Sequence, residues 1–274
     1  FSKQGKRCLL IDLDPQGHTG LGVGFKPLSE TTSTLSILVN SRQALDKLLY
    51  ETEIHNLFFI PPGKHDTSRV PQPERLLKFL SRKQITSKFD ITVIDTPPNA
   101  GAEQTAALMA ADGVLIPFMP TPLGKAGVQQ LVVDMKAVTP KNGYRSIKYG
   151  LIPIMMDSRV KLDNRVLSDM ISLHGTENLL RGVRRNVRLA EAFEAGQPVN
   201  VFDARSRGAF DYHMLAEDIS SLWPQLFPKQ ETLSFREQAD IKTFPARKKP
   251  ASTPTSGSTH RGIRLKDQCL QWNG

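Results

Sequence analysis

The chain has 274 residues and a formal net charge of +9, with 39% hydrophobic and 7% aromatic residues. No uninterrupted apolar run approaches the roughly 18 residues that a membrane span requires. The two cysteines and six histidines show neither a disulfide framework nor zinc-ligand spacing. We therefore expect a cytosolic globular protein, whose excess positive charge favours a polyanionic partner, nucleic acid ahead of an anionic membrane.

Short apolar runs alternate with longer helical patterns along residues 1–228. The predicted strands cover residues 8–11, 91–94, 114–116 and 151–154. The predicted helices cover residues 73–81, 102–111, 127–138, 163–173 and 209–222. Because the runs are continuously apolar, each strand is expected to be covered on both faces, as in parallel sheets. The alternation predicts an α/β fold with a doubly wound, mostly parallel sheet and a ligand at the carboxyl ends of its strands.

The composition changes after Pro228. Residues 229–274 hold nine Lys and Arg against four Asp and Glu, and residues 247–258 read RKKPASTPTSGS. Such a stretch buries too little apolar area to offset the entropy lost on ordering. We therefore predict one folded domain over residues 1–228 and a disordered basic tail over residues 229–274.

Two predicted strands end in aspartates followed by turn residues. Asp12 and Asp14 lie in the segment DLDPQG, and Asp95 begins the segment DTPP. At the carboxyl edge of a parallel sheet, such carboxylates are well placed to hold Mg²⁺ directly or through water. An aspartate after a strand also begins turns or caps helices, and each segment alone favours that simpler interpretation. The two together favour a magnesium site.

These segments resemble those of the ParA/MinD-type partition ATPases, a deviant Walker A class of P-loop NTPases. Residues 12–17 resemble the second nucleotide motif of that family, and residues 89–98 resemble its Walker B region. Further similar segments lie at residues 116–120, 157–162, 185–192 and 196–209, in the family's order. The likeness extends over residues 5–222.

The resemblance implies an ATPase that binds ATP and Mg²⁺, closes into a dimer around the nucleotide and hydrolyses ATP slowly. By the same resemblance, Asp14 positions the attacking water, while Asp12 and Asp95 attend Mg²⁺, partly through water. The other residues that the resemblance assigns to the nucleotide site are Thr96, Pro97, Asp157, Arg185 and Asn186.

The family's phosphate-binding loop, K-G-G-V-G-K-T, does not occur in this sequence. The glycines of such a loop let backbone N–H groups wrap the phosphates, and its lysines neutralise them. By alignment with the family, residues 5–7 belong just before the second strand, so we expect the first strand and the loop to be absent. The chain as written is then expected neither to bind ATP tightly nor to hydrolyse it.

A group of arginines lies between residues 181 and 207. A solvated face is the ordinary interpretation of such a charge run. In ParA-type proteins, however, the nucleotide-bound dimer binds DNA non-specifically, which requires phosphate contacts rather than base readout. The residues expected to contact DNA are Arg184, Arg188, Arg205 and Arg207.

The resemblance also implies partners and a location. The expected partners are non-specific DNA, a second copy of the chain, and a ParB-like or other adaptor that stimulates hydrolysis. The expected location is the cytoplasm, on the nucleoid. A stable membrane anchor is disfavoured because Leu265, Leu270 and Trp272 do not form an apolar face of sufficient length.

Two alternatives stay open at this point: a catalytically dead ParA-like interaction protein, and a MinD-like positioning ATPase. A reductase resembling the nitrogenase iron protein is set aside, because neither Cys8 nor Cys269 lies where ligands of an iron-sulfur cluster are expected.

Overall fold

A computed structural model of the protein describes residues 1–25, 37–38, 42, 44–63, 72–98, 101–138 and 147–224. The predicted tail over residues 229–274 lies outside these residues and stays a prediction. Among the described helices, none combines the length and the apolar character needed to cross a bilayer.

The first sheet contains four strands in the order β2-β3-β1-β4. The strands are β1 (Cys8–Asp12), β2 (Tyr50–Glu51), β3 (Leu57–Ile60) and β4 (Ile91–Asp95). β1 lies in the middle and runs parallel to both β3 and β4, whereas the two-residue β2 runs antiparallel to β3. The central position of β1 explains its continuous apolar sequence, because its side chains are covered on both faces of the sheet.

The second sheet contains three parallel strands in the order β5-β6-β7. They are β5 (Gly113–Phe118), β6 (Lys148–Met156) and β7 (Val183–Arg184).

Helices connect the strands and cover the sheets. In chain order they are α1 (His18–Gly22), α2 (Leu45–Leu48), α3 (Glu74–Leu80), α4 (Lys83–Thr86), α5 (Ala102–Ala110), α6 (Pro122–Val138), α7 (Lys161–His174), α8 (Val187–Glu194), α9 (Val199–Phe202) and α10 (Arg207–Leu222). Short 3₁₀ turns lie at Ser2–Gln4 and Thr176–Asn178.

The helices lie on both faces of the sheets. On one face, α3 and α5 pack against β1, and α5, α6 and α7 pack against β5 and β6. On the opposite face, α10 packs against β6 and β7, while Phe25, Tyr50 and Phe59 form a smaller aromatic cluster on the first sheet. Helix α5 therefore spans the two sheets, with Ala106 and Ala107 in one core and Leu108 in the next.

The structure confirms the predicted α/β class with doubly wound, mostly parallel strands. It differs in dividing the strands between two sheets, because β4 pairs with β1 alone and β5 with β6 alone among the described residues. The five predicted helices are present, but α6 begins at Pro122 rather than at residue 127. A proline suits the first turn of a helix, where its missing N–H has no partner to lose.

The core makes a direct prediction about stability. Leu151 on β6 is fully buried among side chains of α5, α6 and α7. We expect Leu151→Ala to lower the free energy of unfolding by about 2–5 kcal/mol, through lost burial and the cavity left behind. The matched control is Leu123→Ala at a side chain that is 82% exposed, which should change the value by less than about 0.5 kcal/mol. Urea unfolding measures both, and equal effects would contradict the assigned core.

Candidate functional site

The pairing of β1 with β4 brings two acidic residues together. Asp12 and Asp95 are the last residues of these parallel strands and are directly opposed in the register. The N–H of Leu13 donates to the carbonyl of Asp95 at 2.9 Å, which continues the pairing one residue beyond the strands. Both carboxylates therefore lie at the carboxyl edge of the sheet, as the sequence predicts.

Asp12 is completely buried. Its Oδ1 accepts a hydrogen bond from the N–H of Asp14 at 2.9 Å. Within the described ranges no donor meets hydrogen-bond geometry at its buried Oδ2, although the nearby Gly20 N–H also favours the charged form. Burial is the main reason that the pKa of Asp12 rises from 3.8 to about 6, and the nearby carboxylates of Asp95 and Asp14 add to the effect. A carboxyl group buried in this way is costly to ionise unless a cation lies beside it.

The turn after β1 fixes the direction of Asp14. Its Oδ1 accepts the N–H of Gln16 at 3.0 Å, and its carbonyl accepts the N–H of Gly17 at 2.9 Å. Gly17 has a φ of 70°, which a glycine adopts without steric cost. The half-buried Asp14 is thus held by its own turn beside Asp12.

Thr19 is a member of this cluster that sequence reasoning missed. It lies in α1, and its hydroxyl donates to Oδ2 of Asp95. The contact joins residues 76 positions apart in the chain, so no local pattern could reveal it. The position of α1 directly after the DLDPQG turn was the available signal.

These residues fit a hydrated divalent cation. Mg²⁺ prefers oxygen ligands, keeps several waters and is held by one or two carboxylates together with substrate phosphates. The orphaned Oδ2 of Asp12 and the neighbouring carboxylate of Asp95 supply that chemistry. In the described part of the chain, no group of three or more Asp, Glu, His or Cys side chains is arranged to hold a metal ion by itself.

A second set of predicted residues lies at the carboxyl ends of β6 and β7. Asp157 follows β6 and makes a bidentate ion pair with Arg159, with contacts of 2.6 and 2.9 Å. Hydrogen bonds from Arg159 lower the pKa of Asp157 to about 2, and the charge of Arg185 contributes further. Arg185 follows β7, and its N–H donates to the carbonyl of Met156 at 3.3 Å.

Asn186 has a local structural role as the N-cap of α8. Its side-chain oxygen accepts the N–H of Arg188 at 3.0 Å, which satisfies a donor that the helix start leaves unpaired. Thr96 and Pro97 follow β4 directly and are half-buried beside Asp95. The structure thus gathers Asp12, Asp14, Asp95, Thr96 and Pro97 on the first sheet, and Asp157, Arg185 and Asn186 on the second.

The predicted DNA-contacting arginines differ in their surroundings. Arg184 makes a bidentate pair with the buried Asp211, with contacts of 2.6 and 3.1 Å. Arg188 pairs with Glu191 at 2.7 Å and lies 3.4 Å from Asp203. Arg205 and Arg207 are exposed at the start of α10, and no ion pair involves either of them among the described residues.

Comparison with known proteins identifies the family. A family model described as an AAA domain matches residues 1–147. The sporulation initiation inhibitor protein Soj of Bacillus subtilis (strain 168) is 29% identical over 222 residues, covering 79% of this chain and 87% of Soj. The chromosome partitioning protein ParA of Myxococcus xanthus (strain DK1622) is 30% identical over 219 residues, covering 78% of this chain and 77% of ParA. The chain belongs to the ParA/Soj family of partition ATPases.

The fold agrees with that of a solved structure. The septum site-determining protein MinD of Pyrococcus horikoshii OT3, solved in complex with Mg-ADP, superimposes with a TM-score of 0.65 at 18% identity. The superposition covers 82% of this chain and 88% of MinD. At this identity the likeness establishes the α/β fold of the ParA/Soj chain and nothing about its ligands.

The raised pKa of Asp12 leads to a prediction about stability and pH. A carboxyl group whose pKa is higher in the folded than in the unfolded state costs stability at every pH above the unfolded value. We expect Asp12→Asn to increase the free energy of unfolding at pH 8 by about 1–3 kcal/mol. The upper bound corresponds to about 1.4 kcal/mol for each unit by which folding raises the pKa of Asp12.

Urea unfolding at a series of pH values checks this prediction. The gain from Asp12→Asn should be largest above pH 6, where wild-type Asp12 is ionised in both states, and should vanish towards pH 4. The same gain at pH 4 and pH 8 would show that repulsion and burial of the Asp12 charge are not its cause.

Proposed function

We propose that this chain contributes the ATPase domain of a ParA-type protein that partitions DNA or positions a cargo. The protein is proposed to work as an ATP-dependent dimer. The observation that carries the proposal is the burial of Asp12 opposite Asp95 at the ends of β1 and β4, where one oxygen of Asp12 has no donor among the residues that the structure describes. Membership of the ParA/Soj family supports the same conclusion.

The proposed chemistry divides among the three acids. Bound Mg²⁺-ATP supplies the phosphoryl group and the positive charge that offsets its oxygens. Asp12 and Asp95 would hold this cation, partly through water. Asp14, oriented by the Gln16 N–H, accepts a hydrogen bond from the attacking water and so fixes its direction. In phosphoryl transfer the protein contributes mainly such positioning and charge neutralisation.

The remaining site residues are assigned to the nucleotide itself. Thr96 and Pro97 shape the backbone that follows Asp95. Asp157, Arg185 and Asn186, at the carboxyl ends of the second sheet, are proposed to lie beside the adenine base of ATP. The charge of Arg185 is already offset in part by Asp157, so its proposed contact is a hydrogen bond or a stacking contact rather than a phosphate ion pair.

Tight ATP binding requires a phosphate cradle that the present sequence does not contain. Without a K-G-G-V-G-K-T loop, no glycine-rich run of N–H groups surrounds the phosphates. We therefore propose that ATP hydrolysis by the site at Asp12, Asp14 and Asp95 requires a phosphate-binding loop of this kind.

DNA binding is assigned chiefly to Arg205 and Arg207. Both are exposed and carry charges that no neighbouring acid offsets among the described ion pairs. Arg184 and Arg188 share their charge with Asp211, Glu191 and Asp203, so they are expected to contribute less. The proposed partners are non-specific DNA, a second copy of the chain and a ParB-like adaptor, and the proposed location is the nucleoid in the cytoplasm.

The catalytic assignment can be tested in a version that carries a K-G-G-V-G-K-T strand, loop and helix ahead of Phe1. This version should hydrolyse ATP, and Asp14→Ala should lower kcat by about 10²-fold or more, because the attacking water loses its orienting group. Asp46→Ala, at an exposed acid of α2, is the matched control and should leave kcat unchanged.

The 274-residue chain serves as the second arm of that experiment. Isothermal titration should detect no micromolar ATP binding to it. Micromolar affinity would refute the need for the loop, and a loop-bearing version without hydrolysis would favour the dead interaction protein. An unchanged kcat in Asp14→Ala would remove the role given to Asp14.

The DNA assignment can be tested by the salt dependence of binding in the loop-bearing version with ATP. Each lost phosphate contact reduces the slope of log K against log salt by about 0.9. We expect the Arg205→Ala, Arg207→Ala double variant to reduce the slope by about 2 per protomer. Lys148→Ala, at an exposed cation on the amino end of β6, should leave it unchanged, and equal slopes for all three proteins would contradict the assignment.

A further inference from the structure

The carboxyl end of α7 carries a histidine that faces β6. His174 is the last residue of this helix, and its Nδ1 lies 3.1 Å from the hydroxyl oxygen of Tyr149 on β6, with which it shares a hydrogen bond. The two rings also meet edge to face, with their centroids 5.9 Å apart. The pair therefore fastens the end of the helix to the sheet.

Helix α7 is also held along its length and near its start. Val166 and Met170 are buried in the core of the second sheet. Near the start of the helix, Asp163 accepts the N–H of Asp157 at 3.1 Å, at the carboxyl edge of that sheet. His174 thus lies at the end of α7 that is distant from the candidate nucleotide site.

The second ring nitrogen of His174 is enclosed by protein. Its Nε2 is buried, and among the described residues it meets neither a donor nor an acceptor. A neutral imidazole carries one N–H and one bare nitrogen, whereas protonation places a hydrogen on both. In the protonated ring, the buried Nε2–H would have no acceptor within this part of the chain, and leaving a buried donor unpaired is costly.

The charges around the pair add to that cost. Burial is the main reason that the pKa of His174 falls below its ordinary value of 6.5, and the ammonium group of Lys136, near the end of α6, lowers it further. Glu177, in the turn after α7, acts on Tyr149, whose pKa is raised by burial and to a lesser degree by this carboxylate. A cation at the carboxyl end of a helix is normally favoured by the helix dipole, so burial and Lys136 outweigh that effect here.

We propose that the contact between His174 and Tyr149 is a pH-sensitive latch, which holds the end of α7 on β6 while the imidazole is neutral and is released when the imidazole is protonated. The ring is harder to protonate in the closed latch than in the released one. The closed form is therefore fully stable above about pH 7, loses stability as the pH falls through 6.5, and loses no more below its own pKa. The latch uses no nucleotide, so its test is independent of the proposed ATPase.

Amide hydrogen exchange in the 274-residue chain measures the release where it occurs. The reporter is the N–H of Gly175, which donates to the carbonyl of Ile171 at 2.9 Å and closes the last turn of α7. Its protection factor, corrected for the intrinsic exchange rate at each pH, should fall at least about threefold between about pH 7.5 and pH 5.5, because each unit of difference in pKa between the released and closed forms contributes up to about tenfold. The amide of Met170, in the buried part of the same helix, should keep its protection.

Three variants connect the change to the imidazole. Asparagine places an amide group where Nδ1 of histidine stands and does not titrate, so His174→Asn should leave the protection of Gly175 nearly equal at the two pH values. Lys136→Met removes the neighbouring charge, so protonation costs less and the fall in protection should be smaller. His213→Gln, at an exposed histidine of α10, is the matched control and should lose protection as the wild type does.

An NMR titration of the His174 ring in the wild type provides a second measurement that depends on no variant. The ring should titrate below pH 6.5. Three results would overturn the proposal: titration of the ring at or above that value, constant protection of Gly175 in the wild type, or the same fall in protection in a folded His174→Asn variant as in the wild type.

Discussion

The parallel pairing of β1 with β4 is the constraint on which the candidate site depends. It sets Asp12 opposite Asp95 at the edge where both strands end, and it buries Asp12 completely. Burial, and to a lesser degree the neighbouring Asp95, makes Asp12 costly to ionise unless positive charge is added, and no donor in the described part of the chain serves its second oxygen. The fold thus maintains an unfavourable arrangement that a cation would relieve, which is common where a site is prepared for a ligand.

Much of this site could be predicted because its signals are local. A buried parallel strand reads as a continuous apolar run, and an aspartate at its end must lie at the carboxyl edge of the sheet, so Asp12 and Asp95 follow from the sequence. The contact between Thr19 and Asp95, and the pairing of Arg184 with Asp211, depend on tertiary packing. No periodicity or spacing within one segment could reveal them.

The division into two sheets also lay beyond sequence patterns. The sequence predicts strands and their burial, but the partner of each edge is decided by which segments are available to pair. Val93 and Leu115 have the sequence context of fully buried strand residues, yet each is well over one-third exposed.

The most direct test of the cation site uses Mn²⁺, which accepts the same oxygen ligands as Mg²⁺ and is detected by electron paramagnetic resonance. In a loop-bearing version with ATP, the wild type should bind one Mn²⁺ per protomer. Asp12→Asn and Asp95→Asn should each weaken that binding at least tenfold, an effect of the size expected for residues that hold or orient metal ligands. If Mn²⁺ binds both variants as tightly as the wild type, Asp12 and Asp95 do not hold the cation.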